Sequence, residues 1–173
     1  MRQLPDDMPA RTTANEGAQY RQALSCFATG VTVVTTRWQD QDWGMTCNSF
    51  ASVSLEPRLV LWSIRKAASS LEAFTHSGGF SVSVLSHAQE KLARQFAGSD
   101  MASRFANVDL QRQASGRVRL EHAVAWFDCR LHQQVDAGDH HILIGEVIDF
   151  GAQDAAALGF WRSQFQTLGS VDA

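Results

Sequence analysis

The sequence predicts a single, mostly β domain built as an antiparallel barrel or sandwich with a few short helices. Strand-like runs outnumber helical patterns along the 173 residues, and the two longest runs, 124–135 and 140–150, are joined by a short turn. Helices do not alternate with these strands, which argues against a doubly wound parallel sheet. The length fits one domain, which we place at 16–170 after a mobile N-terminal arm at 1–15.

Composition and charge exclude several classes of protein. The net charge is -3 and the pI is near 6.0, so we do not expect nucleic-acid binding, which normally needs a basic face. No apolar run reaches the ~18 residues of a membrane span, and the N-terminus lacks the apolar core of a signal peptide. Cys26, Cys47 and Cys129 form no CxxC pair, so we expect neither a zinc site nor a disulfide framework. The expectation is a cytoplasmic protein without metal or membrane partner.

The N-terminal part of the domain begins with a predicted helix. Thr13 and Glu16 have capping-box spacing, and Gly30 is placed to end the helix. Its expected apolar face consists of Ala23, Leu24 and Phe27.

Three strands are predicted next. The run 31–36 is β-branched throughout and predicts the first. A turn at 40–42 then leads into the polar, small-residue run 44–54, which predicts the second. A third strand, 58–64, carries apolar residues on both faces, which predicts that both of its faces are covered.

The middle of the chain combines two predicted helices with one strand. A helix is predicted over 67–76, with Leu71 and Phe74 on one face, and a strand over 80–85. Ser86 and Gln89 have capping-box spacing before a helix that ends near Gly98. Residues 98–117 are polar and without clear period, which predicts a long functional or mobile loop.

The C-terminal part closes the domain. The strand 124–135 alternates, and after a turn at 136–139 the strand 140–150 places Ile142, Ile144 and Ile148 on one face. A last short strand or edge is predicted over 160–168. Trp62 and Trp126 are expected to be core or dimer contacts.

The common nucleotide-binding and nucleophile motifs are missing. The sequence contains no GxGxxG, no GxxxxGK[ST] and no GxSxG. The run 44–54 offers an alternative, because an extended chain places Thr46 and Asn48 on one side, where amide and hydroxyl groups can bind the edge of a planar heterocycle. A polar loop entering an edge strand is the competing interpretation.

A second candidate lies at 65–72. Ser69 and Glu72 have capping-box spacing behind Arg65 and Lys66, and a helix start with hydroxyls and cations suits a phosphate. An ordinary capped surface helix is the alternative. His140 and His141 follow Asp139, but neighbours on a strand point to opposite faces, so a metal site is not expected.

Several segments together resemble the short-chain flavin reductase family, the reductase components of two-component flavin-dependent monooxygenases. The matching segments are FATGVTVVTT (27–36), TCNSFASVSLEP (46–57), Ser63 and Ser69, FAG (96–98), GDH (138–140) and IGEV (144–147). The resemblance covers about 20–168. It implies a mostly β, antiparallel Greek-key split barrel that binds FMN or FAD, oxidises NADH or NADPH and forms a homodimer that supplies a partner monooxygenase. Arg58 and His141 depart from the family pattern, and the 160–165 segment matches it loosely.

The resemblance also implies site residues. Along the flavin ring it places Thr46, Asn48 and Ser49, with Thr29 and Gly30 nearby, and it continues that wall with Ser52, Val53 and Ser54. It assigns the ribityl phosphate to Ser63, Lys66, Ser69 and Ser70, the flavin border to Phe96 and Gly98, and nicotinamide stacking to His140 as the catalytic residue.

Two alternatives remain open at this point. A split barrel can hold FMN tightly and act on another substrate, such as a corrin or a quinone, or it can be a non-catalytic flavin-binding module.

Overall fold

The computed structural model of the protein describes residues 14–98 and 100–169. Most of the predicted arm, 1–15, lies outside the described residues, and so does Thr13 of the first predicted capping box. The helices are α1 (Ala14–Leu24), α2 (Leu71–His76), α3 (Glu90–Ala97) and α4 (Met101–Arg104). The strands are β1 (Thr29–Gly30), β2 (Thr32–Trp38), β3 (Gln41–Cys47), β4 (Ala51–Leu55), β5 (Arg58–Arg65), β6 (Gly79–Val84), β7 (Leu110–Arg112), β8 (Val118–Leu120), β9 (Ala125–Ala137), β10 (His140–Ala152), β11 (Ala157–Trp161) and β12 (Gln164–Leu168). No helix among these is long and apolar enough to cross a bilayer.

A seven-stranded antiparallel sheet dominates the domain. Its order is β3-β2-β6-β9-β10-β5-β4, and its edge strands β3 and β4 are not hydrogen-bonded to each other. Smaller sheets, β1-β11-β12 and β7-β8, lie beside it. The predicted mostly β class with a few short helices is confirmed. The sheets do not close into a complete barrel within the described residues.

Two clusters of buried side chains form the core. In the first, Trp62 is fully buried and meets the rings of Phe74 and Phe80 edge-on at centroid distances of 4.8 and 5.8 Å. The second joins Val31, Leu85, Phe96 and Leu158, among others, and brings α3 and β11 together. Each large buried side chain contributes about 1.5–3 kcal/mol to folding. The second cluster therefore holds α3 and the β11–β12 hairpin in fixed positions.

The N-terminal half differs from the prediction in three places. Helix α1 ends at Leu24, before Gly30, and Leu24 and Phe27 are 55% and 77% exposed. The first hairpin turns at Gln39 and Asp40, both with positive φ, as a two-residue type I′ turn requires. The predicted strand 44–54 is divided into β3 and β4, because the chain leaves the sheet at residues 48–50.

The two predicted capping boxes in the middle of the chain have opposite outcomes. The Ser86 backbone N–H donates to Gln89 Oε1 at 3.0 Å. This box begins a 3₁₀ turn, His87–Gln89, that continues into α3, which ends just before Gly98, so this helix start is confirmed. The box at Ser69 is wrong, because α2 begins only at Leu71 and its N-cap is Ser70. The Ser70 hydroxyl makes no capping bond and lies 3.7 Å from Met45 Sδ instead.

The predicted loop 98–117 has structure of its own. It contains α4, β7 and the first half of the β7–β8 hairpin. Arg104, at the end of α4, is only 8% exposed. Strands β7 and β8 have three residues each. Such strands are too short to produce a recognisable alternation of apolar and polar residues, so the sequence did not predict them.

The long strands use one face for the core. In β10 the buried residues are Leu143, Gly145 and Val147, whereas Ile142 and Ile144 are partly exposed on the other face. Leu61 of β5 lies opposite Ile144 in the register and is also partly exposed. In the single chain β5 is therefore buried on one face and only partly covered on the other, so the prediction that both faces are covered is met fully on one face alone.

Candidate functional site

A cleft of about 490 Å³ opens between the end of β3, the last turns of α3 and the β11–β12 hairpin. The residues that line it are Val31, Thr46, Cys47, Asn48, Ala93, Arg94, Ala97, Gly98, Phe160 and Phe165. Three of the predicted site residues, Thr46, Asn48 and Gly98, therefore meet in one cavity. Its volume is in the range of small-molecule and cofactor sites.

The β3 side of the cleft is polar. Thr46 Oγ1 donates to the Ala93 carbonyl at 2.6 Å, so the hydroxyl proton is committed and only its lone pairs remain for a ligand. Asn48 is exposed just past the end of β3, and its amide offers both donors and acceptors. Together they form an edge that can accept from an N–H and donate to a carbonyl or ring nitrogen.

Another part of the lining is aromatic. Phe160 and Phe165 face each other across the β11–β12 hairpin, with ring centroids 5.4 Å apart. The Arg94 guanidinium carbon lies 4.7 Å from the centre of the Phe165 ring. A planar ligand between these rings and the Thr46–Asn48 edge would bury its apolar faces and satisfy its polar rim.

The sequence analysis did not identify this aromatic wall, and of α3 it assigned only Phe96, with Gly98 just after the helix, to the ligand. The sequence did contain a signal for this wall, since Phe160 and Phe165 flank the four residues at the tip of the β11–β12 hairpin. Arg94 lies one turn after Glu90 on α3 and was not among the predicted site residues.

Thr29 and Gly30 adjoin the cleft through the short strand β1. Their register partners are Phe160 and Gly159. Thr29 Oγ1 is enclosed and has no hydrogen-bond partner among the described residues. An enclosed hydroxyl without a partner costs free energy unless a ligand or water satisfies it.

Phe96 lies beneath the cleft. Its side chain is fully buried and packs edge-on against Phe105 at 5.1 Å, and the ring is not part of the lining. Phe96 therefore supports the wall from behind, and only neighbouring Ala97 and Gly98 face the cavity.

A buried arginine fixes the distance between the two elements that carry the polar side. The Arg104 guanidinium donates to the Gly44 carbonyl at 2.6 Å and to the Gly98 carbonyl at 2.5 and 3.0 Å. Gly44 precedes Thr46 in β3, and Gly98 lines the cleft at the end of α3. Burial lowers the pKa of Arg104 from its usual range, because desolvation penalises the charge. We call this set of contacts the Arg104 clamp.

A second group of predicted residues lies around the β9–β10 turn. Lys66 Nζ meets Asp136 Oδ1 at 2.6 Å, and the Lys66 backbone N–H donates to the Asp139 carbonyl at 2.9 Å. His140 Nδ1 lies 2.7 Å from Asp139 Oδ1. The hydrogen bond from Lys66 lowers the pKa of Asp136, and that with His140 lowers the pKa of Asp139. His140 is not part of the cleft lining.

The predicted phosphate residues are unequally accessible. Ser69 is exposed, whereas Ser70 is 2% exposed, with its hydroxyl against Met45. Lys66 is exposed but already paired with a carboxylate. Lys66 and Ser69 are thus the members of this group that a solvent-borne anion can reach.

Ser49 connects the cleft with this second group. Its hydroxyl accepts from the Ser63 backbone N–H at 2.9 Å and lies 3.3 Å from the Ser63 carbonyl. Cys47 Sγ lies 3.1 Å from the same hydroxyl. These bonds attach the segment after β3 to β5 and set the path between the two groups.

Ser52, Val53 and Ser54 lie elsewhere, on the edge strand β4. Ser52 and Ser54 line a separate apolar groove of about 300 Å³. Val53 and Leu55 on the same strand are 46% and 89% exposed. The groove also contains Phe50, Leu59, Phe127 and Phe150.

Relatives with known names match over most of this chain. The flavin reductase like domain family matches residues 24–169. The reductase component of the flavin-dependent trigonelline monooxygenase of Acinetobacter baylyi is 40% identical over 162 residues, which cover 92% of this chain and 52% of the relative. FMN reductase (NADH) SmoA of Agrobacterium fabrum is 42% identical over 146 residues, 84% of this chain and 83% of the relative. The chain thus spans only about half the length of the first of these relatives.

Solved structures agree with the sequence relatives. The NADH:FAD oxidoreductase SgcE6 of Streptomyces globisporus, in complex with NAD and FAD fragments, superimposes with a TM-score of 0.87 at 36% identity over 94% of this chain and 99% of that one. Flavin reductase PheA2 gives 0.82 at 37% identity over 88% and 97%. With the family match over residues 24–169, which contain the whole lining of the cleft, this chain belongs to the flavin reductase like domain family.

Proposed function

We propose that the chain is an NAD(P)H:flavin oxidoreductase that transfers a hydride from NADH or NADPH to FMN or FAD and supplies a partner flavin-dependent monooxygenase with reduced flavin. The observation that carries the proposal is the cleft itself, whose lining combines the polar pair Thr46 and Asn48 with the aromatic pair Phe160 and Phe165. The names of the relatives, reductases that serve monooxygenases or reduce FMN and FAD with NADH, support it.

The cleft residues fit a flavin ring. The polar edge of an isoalloxazine alternates acceptors with an N–H donor, and Thr46 can only accept while Asn48 can do both. The unpaired Thr29 hydroxyl offers one more contact beside the cleft. The aromatic wall suits a flat, largely apolar face.

Flavin and nicotinamide supply the hydride chemistry when they are bound. The residues of this chain orient and enclose them, since Phe160 and Phe165 exclude water from one side and Thr46 and Asn48 set the rotation of the ring in its plane. Among the described residues that line the cleft there is no carboxylate and no histidine. The proposed reaction needs no side-chain proton donor there.

For the rest of the flavin we propose a path along Ser49 and Ser63 toward Lys66 and Ser69. The hydrogen bonds that join Ser49 to Ser63 support this path. Buried Ser70 would help only by holding α2 in place. His140 remains our candidate for contact with the nicotinamide, although within one chain it lies at the Lys66 end.

We further propose a homodimer. The support is the apolar surface on β4 and around its groove, where Val53, Leu55 and Phe150 are about half to nine-tenths exposed. Apolar patches of this kind usually mark protein contacts, and in this arrangement Ser52, Val53 and Ser54 would border a flavin at the subunit interface. Sedimentation of Leu55→Asp should show a shift toward monomer, and an unchanged dimer would remove β4 from the interface. The cytoplasmic location remains a prediction.

Flavin titration of single variants tests the site. Asn48→Ala should weaken FMN binding about tenfold, the equivalent of about 1.4 kcal/mol, because one edge of the ring loses its partner. Asn15→Ala on exposed α1 is the matched control and should bind as the wild type does. His140→Ala should raise the KM for NAD(P)H. An unchanged affinity or an unchanged KM would remove the respective residue from the site.

A further inference from the structure

One charged side chain lies in the lining of the cleft, as far as the structure describes it, and that side chain is Arg94. Its Nε and one terminal nitrogen both donate to Glu90 Oε1, at 3.0 and 2.7 Å. The other terminal nitrogen of Arg94 and the second carboxylate oxygen of Glu90 make no hydrogen bond within the described residues. The pair therefore presents one unused cationic donor and one unused anionic acceptor side by side.

The Arg94 guanidinium lies over an aromatic side chain of the cleft. Its carbon is 4.7 Å from the centre of the Phe165 ring, and Phe165 in turn packs on Phe160. An ordinary exposed pair one helical turn apart has little structural consequence. This pair differs in its place, because the guanidinium carbon lies 4.7 Å from the Phe165 ring centre at the edge of the cleft. The Arg94 side chain is 66% exposed there, so a planar fork can meet a phosphate that arrives from solvent.

The size of the cleft determines what reaches this rim. A volume of about 490 Å³ is in the range of small-molecule sites. Under the proposed function the cleft takes the reacting rings, the flavin ring and the nicotinamide, and not the whole of both molecules. The ribose-phosphate parts of the nicotinamide dinucleotide must then extend to the rim. Arg94 is the cation they would meet there.

We infer that Arg94 binds the ribose-phosphate end of the nicotinamide dinucleotide and that Glu90 selects NADH over NADPH. The inference rests on the proposed function and deepens it. The free oxygen of Glu90 can accept a hydrogen bond from the 2′-hydroxyl of the adenosine ribose of NADH. Acidic residues recognise the same hydroxyl in other dinucleotide sites. A 2′-phosphate in the same place would face a carboxylate, and the repulsion between like charges would disfavour its binding.

Steady-state kinetics with both nucleotides, at saturating flavin, tests the inference in Glu90→Gln and Arg94→Gln. The wild type should prefer NADH in kcat/KM. Glu90→Gln should move the NADPH-to-NADH ratio of kcat/KM at least about tenfold toward NADPH, because the repulsion is removed and Arg94 is freed. Arg94→Gln should raise the KM for both nucleotides about tenfold with little change in kcat. Lys91→Gln, on the same helix but outside the lining, is the control and should change neither value.

Calorimetry supplies a readout that does not need turnover. Glu90→Gln should bind 2′,5′-ADP about tenfold more tightly than the wild type does, with 5′-ADP changed far less. A ratio that stays within about twofold in Glu90→Gln, or a wild type that prefers NADPH, would overturn the inference. A wild type that oxidises neither nucleotide with any flavin would overturn the proposed function instead, and the ADP titrations would still decide on Glu90 and Arg94.

Discussion

The Arg104 clamp makes a prediction that links the stability of the domain to the shape of the cleft. Arg104→Ala removes three hydrogen bonds to the carbonyls of Gly44 and Gly98. Hydrogen bonds from charged groups contribute about 1.5–3 kcal/mol each. The two bonds to Gly98 are only part-buried, and removal of the charge relieves the desolvation that lowers the Arg104 pKa. We therefore expect a net loss of about 3 kcal/mol in the free energy of unfolding.

The effect on the cleft should be separable from this loss. Without the clamp, Gly98 and α3 can move relative to β3, so the flavin Kd should rise about tenfold, measured by titration where the variant is fully folded. Arg117→Ala is the control. It breaks a buried ion pair with Asp128 at 2.7 Å and should cost about 3–5 kcal/mol, but neither residue lines the cleft.

Urea unfolding and flavin titration of Arg104→Ala and Arg117→Ala test the role of the Arg104 clamp. The reasoning is refuted if Arg104→Ala loses less than about 1 kcal/mol, or if its flavin affinity equals that of Arg117→Ala. Should Arg104→Ala fail to fold, Arg104→Lys keeps the charge while losing the fork, and a smaller rise in Kd is then expected.

Three further predictions concern the cysteines and one glycine. With a thiol reagent, exposed Cys26 should react at once, whereas Cys47 should react slowly and be protected by FMN, because it lines the cleft; equal rates with and without FMN would contradict the site. Burial raises the pKa of Cys129 to about 12 from 9.0. The unfolded chain therefore ionises first, and stability should fall between those pH values by about 1.4 kcal/mol per unit, a slope that Cys129→Ala should lack in urea titrations. Gly145→Ala would place a Cβ 2.5 Å from Phe80 Cζ and should cost about 3 kcal/mol; a melting temperature equal to that of the wild type would refute it.

Patterns with a local cause were predictable from the sequence. The β-branched run at 31–36, the alternation at 124–135 and the Ser86–Gln89 capping box depend on neighbours within a few residues, and the structure confirms all three. Thr46, Asn48 and Gly98 were placed by resemblance, and they do meet in one cleft.

Features that depend on distant partners were not predictable in this way. Ser69 has the correct spacing for a capping box, but the helix starts later, with Ser70 as its N-cap. The Ser70 hydroxyl contacts Met45 of β3, a residue 25 positions away, instead of capping the helix. Arg104 looks like a surface residue in the sequence, because the carbonyl it binds at Gly44 is 60 positions away. The core side of β10 was also hidden, since Gly145 faces inward to admit the Phe80 ring.

The central claim is that the protein reduces flavin as an exchangeable substrate in the cleft. Oxidation of NADH or NADPH, with and without added flavin, tests this claim most directly. Purified protein should oxidise NADH rapidly only when FMN or FAD is added, with the rate saturating in flavin concentration. Flavin binding without any NADH or NADPH oxidation would contradict the account and favour a non-catalytic flavin-binding module. Full activity without added flavin, retained after dialysis, would instead indicate a tightly held cofactor that serves another substrate.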